Sequence, residues 1–280
     1  MSSTRDIQHK IRTVRSIEQI TRAMKTVASI RLRRAEARVA RARPYWEELA
    51  GLVSRVASVT QAHRYLEARG AERTAVALVT SDRGLCGGYN MSAVRRAVGV
   101  GRPEEVVVAA VGRKGVGQMR RRGYEIVEQL APLGGEPELA QVRRLAERVG
   151  ARYEAGEVDR VVLVYARFRG GTSHTVEAET VLPAQAGEQR SEAEMREAIF
   201  EPKLEALLPG LMRRYLWGAF GAAVLEASAS EHAARVAAMT AATDNAEEMI
   251  HDLVMDYNRA RQAGITKELM EIVSAAEATA

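Results

Sequence analysis

One cysteine, Cys86, is all that the 280 residues contain. A lone thiol can form neither an intramolecular disulfide nor a cysteine-based metal cluster, which suits a reducing compartment. Aromatics make up only 5% of the chain. No run of about 18 apolar residues occurs, so no segment is expected to span a bilayer. The opening stretch, MSSTRDIQHKIRTVRS, is charged and periodic and lacks the apolar core of a signal peptide. The five histidines (His9, His63, His174, His232 and His251) are scattered, with no H-x-x-x-H or H-x-E pairing, so no metal is expected.

What is present is an uneven charge. Residues 1–43 carry 12 Lys/Arg against 3 Asp/Glu, residues 203–280 carry 7 against 11, and the stretch between is balanced. Opposite signs at the two ends predict that the ends meet, or that each faces its own partner. A nucleic-acid partner is disfavoured, because the basic charges are spread around a helix with no aromatic before Tyr45 and Trp46.

Three parts follow along the chain, with expected boundaries 1–57, 73–201 and 202–280. The first is a long helix from Thr4 to Ala57, about 80 Å if continuous. Ile7, Ile11, Val14, Ile17, Ile20, Met24 and Val27 recur at helical steps, and Pro44 is expected to kink or restart the helix. The last part holds a step of four then three, from Leu204 through Tyr215, Leu225, His232, Met239, Thr243 and Ile250 to Ala260, which predicts a left-handed coiled coil. Its seam is mostly Ala, Gly and Thr in the middle. Small residues bury little area but let a partner helix come close, and Ala favours the helix itself. Pro209–Gly210 is expected to bend the entry.

The middle part alternates short apolar strands (Ala75–Thr80, Val106–Val111, Glu125–Gln129, Val161–Ala166, Thr175–Leu182) with helices (Ser92–Val98, Lys114–Arg122, Glu138–Glu154). That alternation predicts an open, largely parallel α/β sheet. Gly134–Gly135 and Gly170–Gly171 mark loops. Ser191 with Glu194 could cap one more helix, or REAIFEP could be a last strand. The fold class is therefore α/β plus coiled coil: long antiparallel N- and C-terminal helices with an inserted Rossmann-like open sheet domain.

Candidate chemistry is sparse. TSDRGLCGGYN (Thr80–Asn90) is a glycine-rich loop between a strand and a helix, a place where phosphates often bind. Its spacing matches neither G-x-G-x-x-G nor G-x-x-x-x-G-K-[ST], so a tight turn with Ser81 and Asp82 tying up backbone N–H groups is preferred. Cys86 has no base placed beside it and reads as structural and semi-buried. His232 falls on the seam and reads as a packed register residue. No acid, base and oxyanion donor converge, so no catalytic residue, metal or cofactor is expected.

Three stretches resemble the gamma subunit of F-type ATP synthase, the central rotor stalk. They are ITRAMKTVAS (Ile20–Ser29), TSDRGLCGGYN, and ASEHAARVAAMTAATDNAEEMI (Ala229–Ile250) with YNRARQAGITKELMEIVSAAEA (Tyr257–Ala278). The resemblance covers the chain in order. It implies a non-catalytic subunit transmitting torque between a membrane c-ring and a catalytic hexamer of alpha and beta subunits, with the epsilon subunit at its foot. It implies a peripheral place on the cytoplasmic side of the cell membrane, or the matrix side if mitochondrial. Motif by motif, it implies rotor–stator contacts at Met24, Lys25, Arg261, Gln262, Thr266 and Glu268. Thr26, Thr240 and Ala241 depart from the usual residues, the segment between Phe200 and Leu208 is shorter, and no cysteine-bearing insertion of the redox-regulated chloroplast kind is present. The competing reading is a coiled-coil scaffold whose α/β domain binds a nucleotide or anion.

Overall fold

The computed structural model describes residues 4–70, 72–130, 138–185 and 203–279. The Gly134–Gly135 loop and the helix or strand expected at 191–200 lie outside them. Helix α1 runs Thr4–Val59, with Asp6 in its first turn and no glycine before Gly51. Pro44 does not interrupt it. The proline ring removes the bond to the carbonyl of Ala40, but both residues are exposed, so water can take that carbonyl's place. Helix α5 runs Leu204–Thr279 and contains Pro209. Both helices contribute to two compact units, Met1–Val27 with Val236–Ala280, and Ala28–Arg235.

In the first unit the two helices pair antiparallel. Gln8 donates to Tyr257 Oη at 2.9 Å, the Thr21 and Thr243 hydroxyls meet at 2.9 Å, and Arg22 reaches Glu247 at 2.6 Å. On α5 the predicted positions Val236, Met239, Thr243, Ala246, Ile250, Leu253, Tyr257 and Ala260 are all buried or half-buried, and Ala238, Thr240, Ala242 and Val254 beside them are half-buried as well. On α1 the buried and half-buried line is Ile7, Ile11, Val14, Glu18, Thr21, Met24 and Lys25. The predicted α1 stripe holds at Ile7, Ile11, Val14 and Met24 and is wrong at Ile17, Ile20 and Val27, which are 48%, 56% and 51% exposed. Three successive apolar residues at short steps lead the eye off the seam. A helix paired along its length keeps a mean step of 3.5, and here that step lands on polar residues.

The second unit is built on five strands: β1 Thr74–Val79, β2 Val106–Val111, β3 Glu125–Leu130, β4 Arg160–Gly170 and β5 Ser173–Leu182. Their order is β3-β2-β1-β4-β5. The first four are parallel and β5 is antiparallel to β4. The reversal follows from the connection, because two residues at Gly171 and Thr172 are far too few for a crossover. Gly170 and Gly171 carry φ of 104° and 58°, the left-handed values such a turn needs.

Helices α2 (Tyr89–Val98) and α3 (Arg113–Arg121) pack their Ala93, Val94, Ala97, Val116 and Met119 against Val76, Leu78, Val108 and Val164 on one sheet face. On the other face lie α4 (Leu139–Glu154) and the second unit's parts of α1 and α5, sharing a core of Val53, Val149, Tyr153, Leu163, Met212, Leu216 and Phe220. Gly150 of α4 is where this packing is tightest: an added Cβ would sit 2.3 Å from the Tyr65 hydroxyl and 2.7 Å from Leu216. Further along α1 and α5, Ala35 and Val39 meet Leu225, Ala229 and Ala233. Alanines on both sides allow that close approach.

Candidate functional site

The strongest buried polar feature of the second unit lies where α5 crosses β4. Glu226 is 4% exposed. One carboxylate oxygen takes Arg43 Nη2 of α1 at 2.6 Å, and the other accepts the backbone N–H of Phe168 in β4 at 2.8 Å. A carboxylate so buried needs both partners, since an unpaired charge in a low-dielectric site is costly. Two further bonds fix the same helix to the sheet. Ser230 Oγ donates to the Ala166 carbonyl at 2.9 Å, and Tyr89 Oη donates to the Ala227 carbonyl at 3.0 Å. The one- and two-atom side chains of Ala223, Ala227, Ser230 and Ala234 bring α5 near enough for this. Beside the ion pair is an open cavity of about 390 Å³, walled by Trp46, Tyr165, Arg167, Glu179 and Tyr215. Its cations are already engaged: Arg167 holds Glu177 at 2.9 Å and Glu179 at 3.0 Å.

The glycine-rich loop Thr80–Asn90 is occupied with itself. Asn90 Oδ1 accepts the Ser81 N–H at 2.9 Å, and Asn90 Nδ2 donates to Ser81 Oγ at 2.8 Å. The Ser81 hydroxyl donates onward to the Arg83 carbonyl. Asp82 Oδ1 accepts the N–H of Arg113, the first residue of α3, at 3.0 Å. The tight-turn reading thus holds with one change: Asn90, not the Ser81 side chain, satisfies the first N–H. An Asx side chain at a helix start is the signal that could have found it. These bonds take up the Ser81 and Arg113 N–H groups, and Asp82 puts a negative charge at the α3 N-terminus. Both facts weigh against the nucleotide-binding scaffold.

Gly112 shows how close the neighbouring loop lies. Its φ is 88°, and a Cβ there would stand 2.1 Å from the Thr80 carbonyl oxygen. Cys86 is 2% exposed, deeper than the semi-buried place expected for it. Burial raises its pKa, so it is a packed thiol with Asn90 Nδ2 at 3.3 Å, not an activated nucleophile. Leu85 beside it is exposed at φ 62°. His232 is buried as expected. Burial and then the neighbouring Arg235 and Arg31 push its pKa down to about 4, so the ring is neutral at pH 7. Arg235 Nη1 lies 3.3 Å from its Nδ1, while Arg235 Nη2 bonds Glu231 at 2.7 Å and the Gly84 carbonyl at 3.3 Å.

The residues named from the resemblance fall in the first unit, in two places. Met24 and Lys25 are half-buried on α1 next to the Thr21–Thr243 contact. Arg261, Gln262, Thr266 and Glu268 are all exposed, with Thr266 Oγ1 bonded to the Gln262 carbonyl at 3.0 Å. Along α5 the second group begins some 18 residues beyond Thr243, roughly 30 Å of helix. The structure does not bring the two groups together. Around the second group α5 is solvent-facing throughout: Ile265, Leu269 and Met270 are 50%, 58% and 63% exposed. No described helix is long and apolar enough to cross a membrane.

Terminal helices that pair antiparallel and enclose a five-stranded α/β sheet in sequence define a class of chain in which a helical pair carries an inserted sheet domain. The ATP synthase family model matches residues 3–279. The chain is 41% identical over 282 residues to the ATP synthase gamma chain of Pelotomaculum thermopropionicum and 43% identical over 284 residues to that of Moorella thermoacetica, covering 99% of both chains in each case. It belongs to the ATP synthase gamma-chain family. Among solved structures, the Euglena gracilis mitochondrial ATP synthase (OSCP/F1/c-ring, rotational state 3) contains a similar chain with a TM-score of 0.71 at 22% identity, over 99% of this chain and 94% of that one. The Tetrahymena thermophila mitochondrial ATP synthase central stalk/c-ring gives 0.63 at 23%, over 80% and 99%. At those identities the likeness is one of fold.

Proposed function

We propose that the chain is the central rotor stalk of a proton-translocating F-type ATP synthase. It carries torque between a membrane c-ring and a catalytic hexamer of alpha and beta subunits, and regulates that hexamer, with an epsilon subunit as a further partner. It acts as a peripheral subunit at the cytoplasmic side of the cell membrane, or at the matrix side if mitochondrial. The observation that carries this reading is the joint at Glu226. A shaft is useful only if load applied to a globular domain reaches the helices, and one carboxylate here ties α1, α5 and β4. The match to gamma chains along the whole length supports it.

Met24, Lys25, Arg261, Gln262, Thr266 and Glu268 are assigned as contacts to the stator. Two of the six lie at the edge of a paired seam and four on an exposed helix face, so they can meet different surfaces of a surrounding ring. Such contacts alter the catalytic sites only through different interaction energies with each beta conformation. The test is co-expression with alpha and beta subunits. The expected result is a complex with one copy of this chain per three of each. Failure to assemble, or tight binding of ATP or NAD to the isolated chain, would favour the nucleotide-binding scaffold.

A further inference from the structure

Helices α2 and α3 contain Arg95, Arg96, Arg113, Lys114, Arg120 and Arg121, and not one Asp or Glu. All six are exposed, while the helices' apolar residues face the sheet. Both helices run against the direction of the parallel strands, so both end at the same edge of the sheet. Tyr124 Oη donates to the Gly101 carbonyl at 2.8 Å and ties the turn after α3 to the turn after α2. Arg95 and Arg96 at the end of α2 and Arg120, Arg121 and Arg122 at the end of α3 flank this tie; the acids in the same turn are Glu104 and Glu105, of which Glu105 is paired with Arg102, so the arginines outnumber them. Arg95, Arg96, Arg120 and Arg121 form no ion pair among the described residues. On helix α4, on the opposite face, three of the four arginines are paired: Arg143, Arg148 and Arg152 with Glu147, Glu128 and Glu157 at 3.0, 2.8 and 2.5 Å.

A basic residue in a last turn is favoured by the helix dipole, but that accounts for one cation per helix, not for the lack of any acid. Guanidinium groups bind phosphate oxygens in a forked geometry. The patch has no exposed aromatic on which a base could stack, which disfavours nucleic acid. Val98, at the end of α2 among the arginines, is 36% exposed and adds an apolar foothold. We propose that this arginine face docks on the anionic phosphate headgroups of a lipid bilayer. The inference rests on the reading that the chain works beside a membrane-embedded ring. Loose electrostatic attachment would steady the domain over the membrane while leaving it free to move laterally, because the attraction is spread over many headgroups and screened by salt.

The test is co-sedimentation of the purified full chain with vesicles of phosphatidylcholine alone or with phosphatidylglycerol added. The variant R95E/R96E/R120E/R121E is compared with R31E/R33E/R34E/R41E, which makes the same charge change on α1. Helical content and thermal midpoint are checked for both. Binding to the anionic vesicles only, falling with salt and weakened at least about a hundredfold by the α2/α3 variant, is expected, at roughly fivefold or more per charge. The α1 variant should lose at least tenfold less. Absence of binding, equal binding to neutral vesicles, or equal loss in the two variants would overturn the proposal. Assembly with alpha and beta subunits is scored separately, so a chain that assembles but ignores anionic vesicles sinks this inference and leaves the rotor reading standing.

Discussion

Glu226 of α5 and Arg43 of α1 form an asymmetric pair: the carboxylate side chain is 5% exposed and the guanidinium 39%. Removing each partner therefore has a different cost. Arg43→Ala strands a buried charge with only the Phe168 N–H for company and should destabilise the fold by about 3–5 kcal/mol. Glu226→Ala leaves a cation that can still reach water and one unsatisfied N–H, a loss of about 1–3 kcal/mol. Urea unfolding of the two variants checks the order, and equal losses would refute the account.

Gly150 and Gly117 predict opposite signs for the same substitution. Both lie inside helices, where alanine is favoured over glycine by about 1 kcal/mol. At Gly117 nothing stands within 4 Å of the new Cβ, so Gly117→Ala should raise the thermal midpoint. At Gly150 the Cβ would drive into Tyr65 and Leu216, and overpacking of about 1–3 kcal/mol outweighs the propensity gain. Gly150→Ala should lower the midpoint.

His232 predicts an acid-sensitive fold. Its pKa falls from 6.5 when unfolded to about 4 when folded, so the unfolded chain binds the proton more readily. The stability it contributes is complete above pH 6.5 and is lost as pH falls through that window towards 4, about 3 kcal/mol in total. Burial raises the pKa of Glu231 and works in the other direction, softening the slope. His232→Gln should flatten the pH dependence of the urea midpoint between pH 6.5 and 4.5. An unchanged slope would show that the ring is not the group responsible.

Thr21 and Thr243 predict a coupled pair. Their hydroxyls meet at 2.9 Å inside the seam. Replacing either one by Val should cost up to about 1 kcal/mol through loss of the interhelical bond, since the remaining hydroxyl keeps only its own-helix carbonyl, Glu18 for Thr21 and Met239 for Thr243. Replacing both should cost little more than one replacement, giving a measurable interaction energy in a double-mutant cycle. Additive losses would show that the bond contributes nothing.

Charge on α1 predicts an effect on the assembled complex. The variant K25E/R31E/R33E/R34E should slow ATP hydrolysis and reduce torque if the basic helix meets acidic loops of the beta subunits through screened, transient pairs. Hydrolysis and torque equal to the unaltered complex would remove that contact from the model.

The sheet and α5 were legible because each shows a single period. Short β-branched runs such as VVVAAV and VVLVYA favour strands covered on both sides, and the α5 steps match the covered positions from Leu225 through Tyr257, whereas nearer the start of the helix the deepest line, Met212, Leu216 and Phe220, lies one or two positions off the predicted one. The α1 seam was misread at Ile17 and Ile20, which outshine Glu18 and Thr21 on any hydrophobic scale while only the latter are covered; Met24 further on was read correctly. Pro44 misled for a related reason: the carbonyl it leaves unpaired belongs to exposed Ala40, and the packed turns on either side keep the helix continuous despite the ring's local cost. Glu226 left no trace in the sequence at all. A carboxylate between Leu225 and Ala227 looks like a surface residue, and its burial depends on a β4 backbone N–H nearly 60 positions away. The contact residues came from motif alone, and nothing in composition or spacing singles them out.

The outward isoleucines of α1 have a consequence for biogenesis. With Ile17, Ile20 and Val27 about half bare, a copy waiting unassembled offers an oily strip to any other copy. Its concentration while unassembled sets how much clumps, so translation in step with its partners would protect it better than any change to its own core.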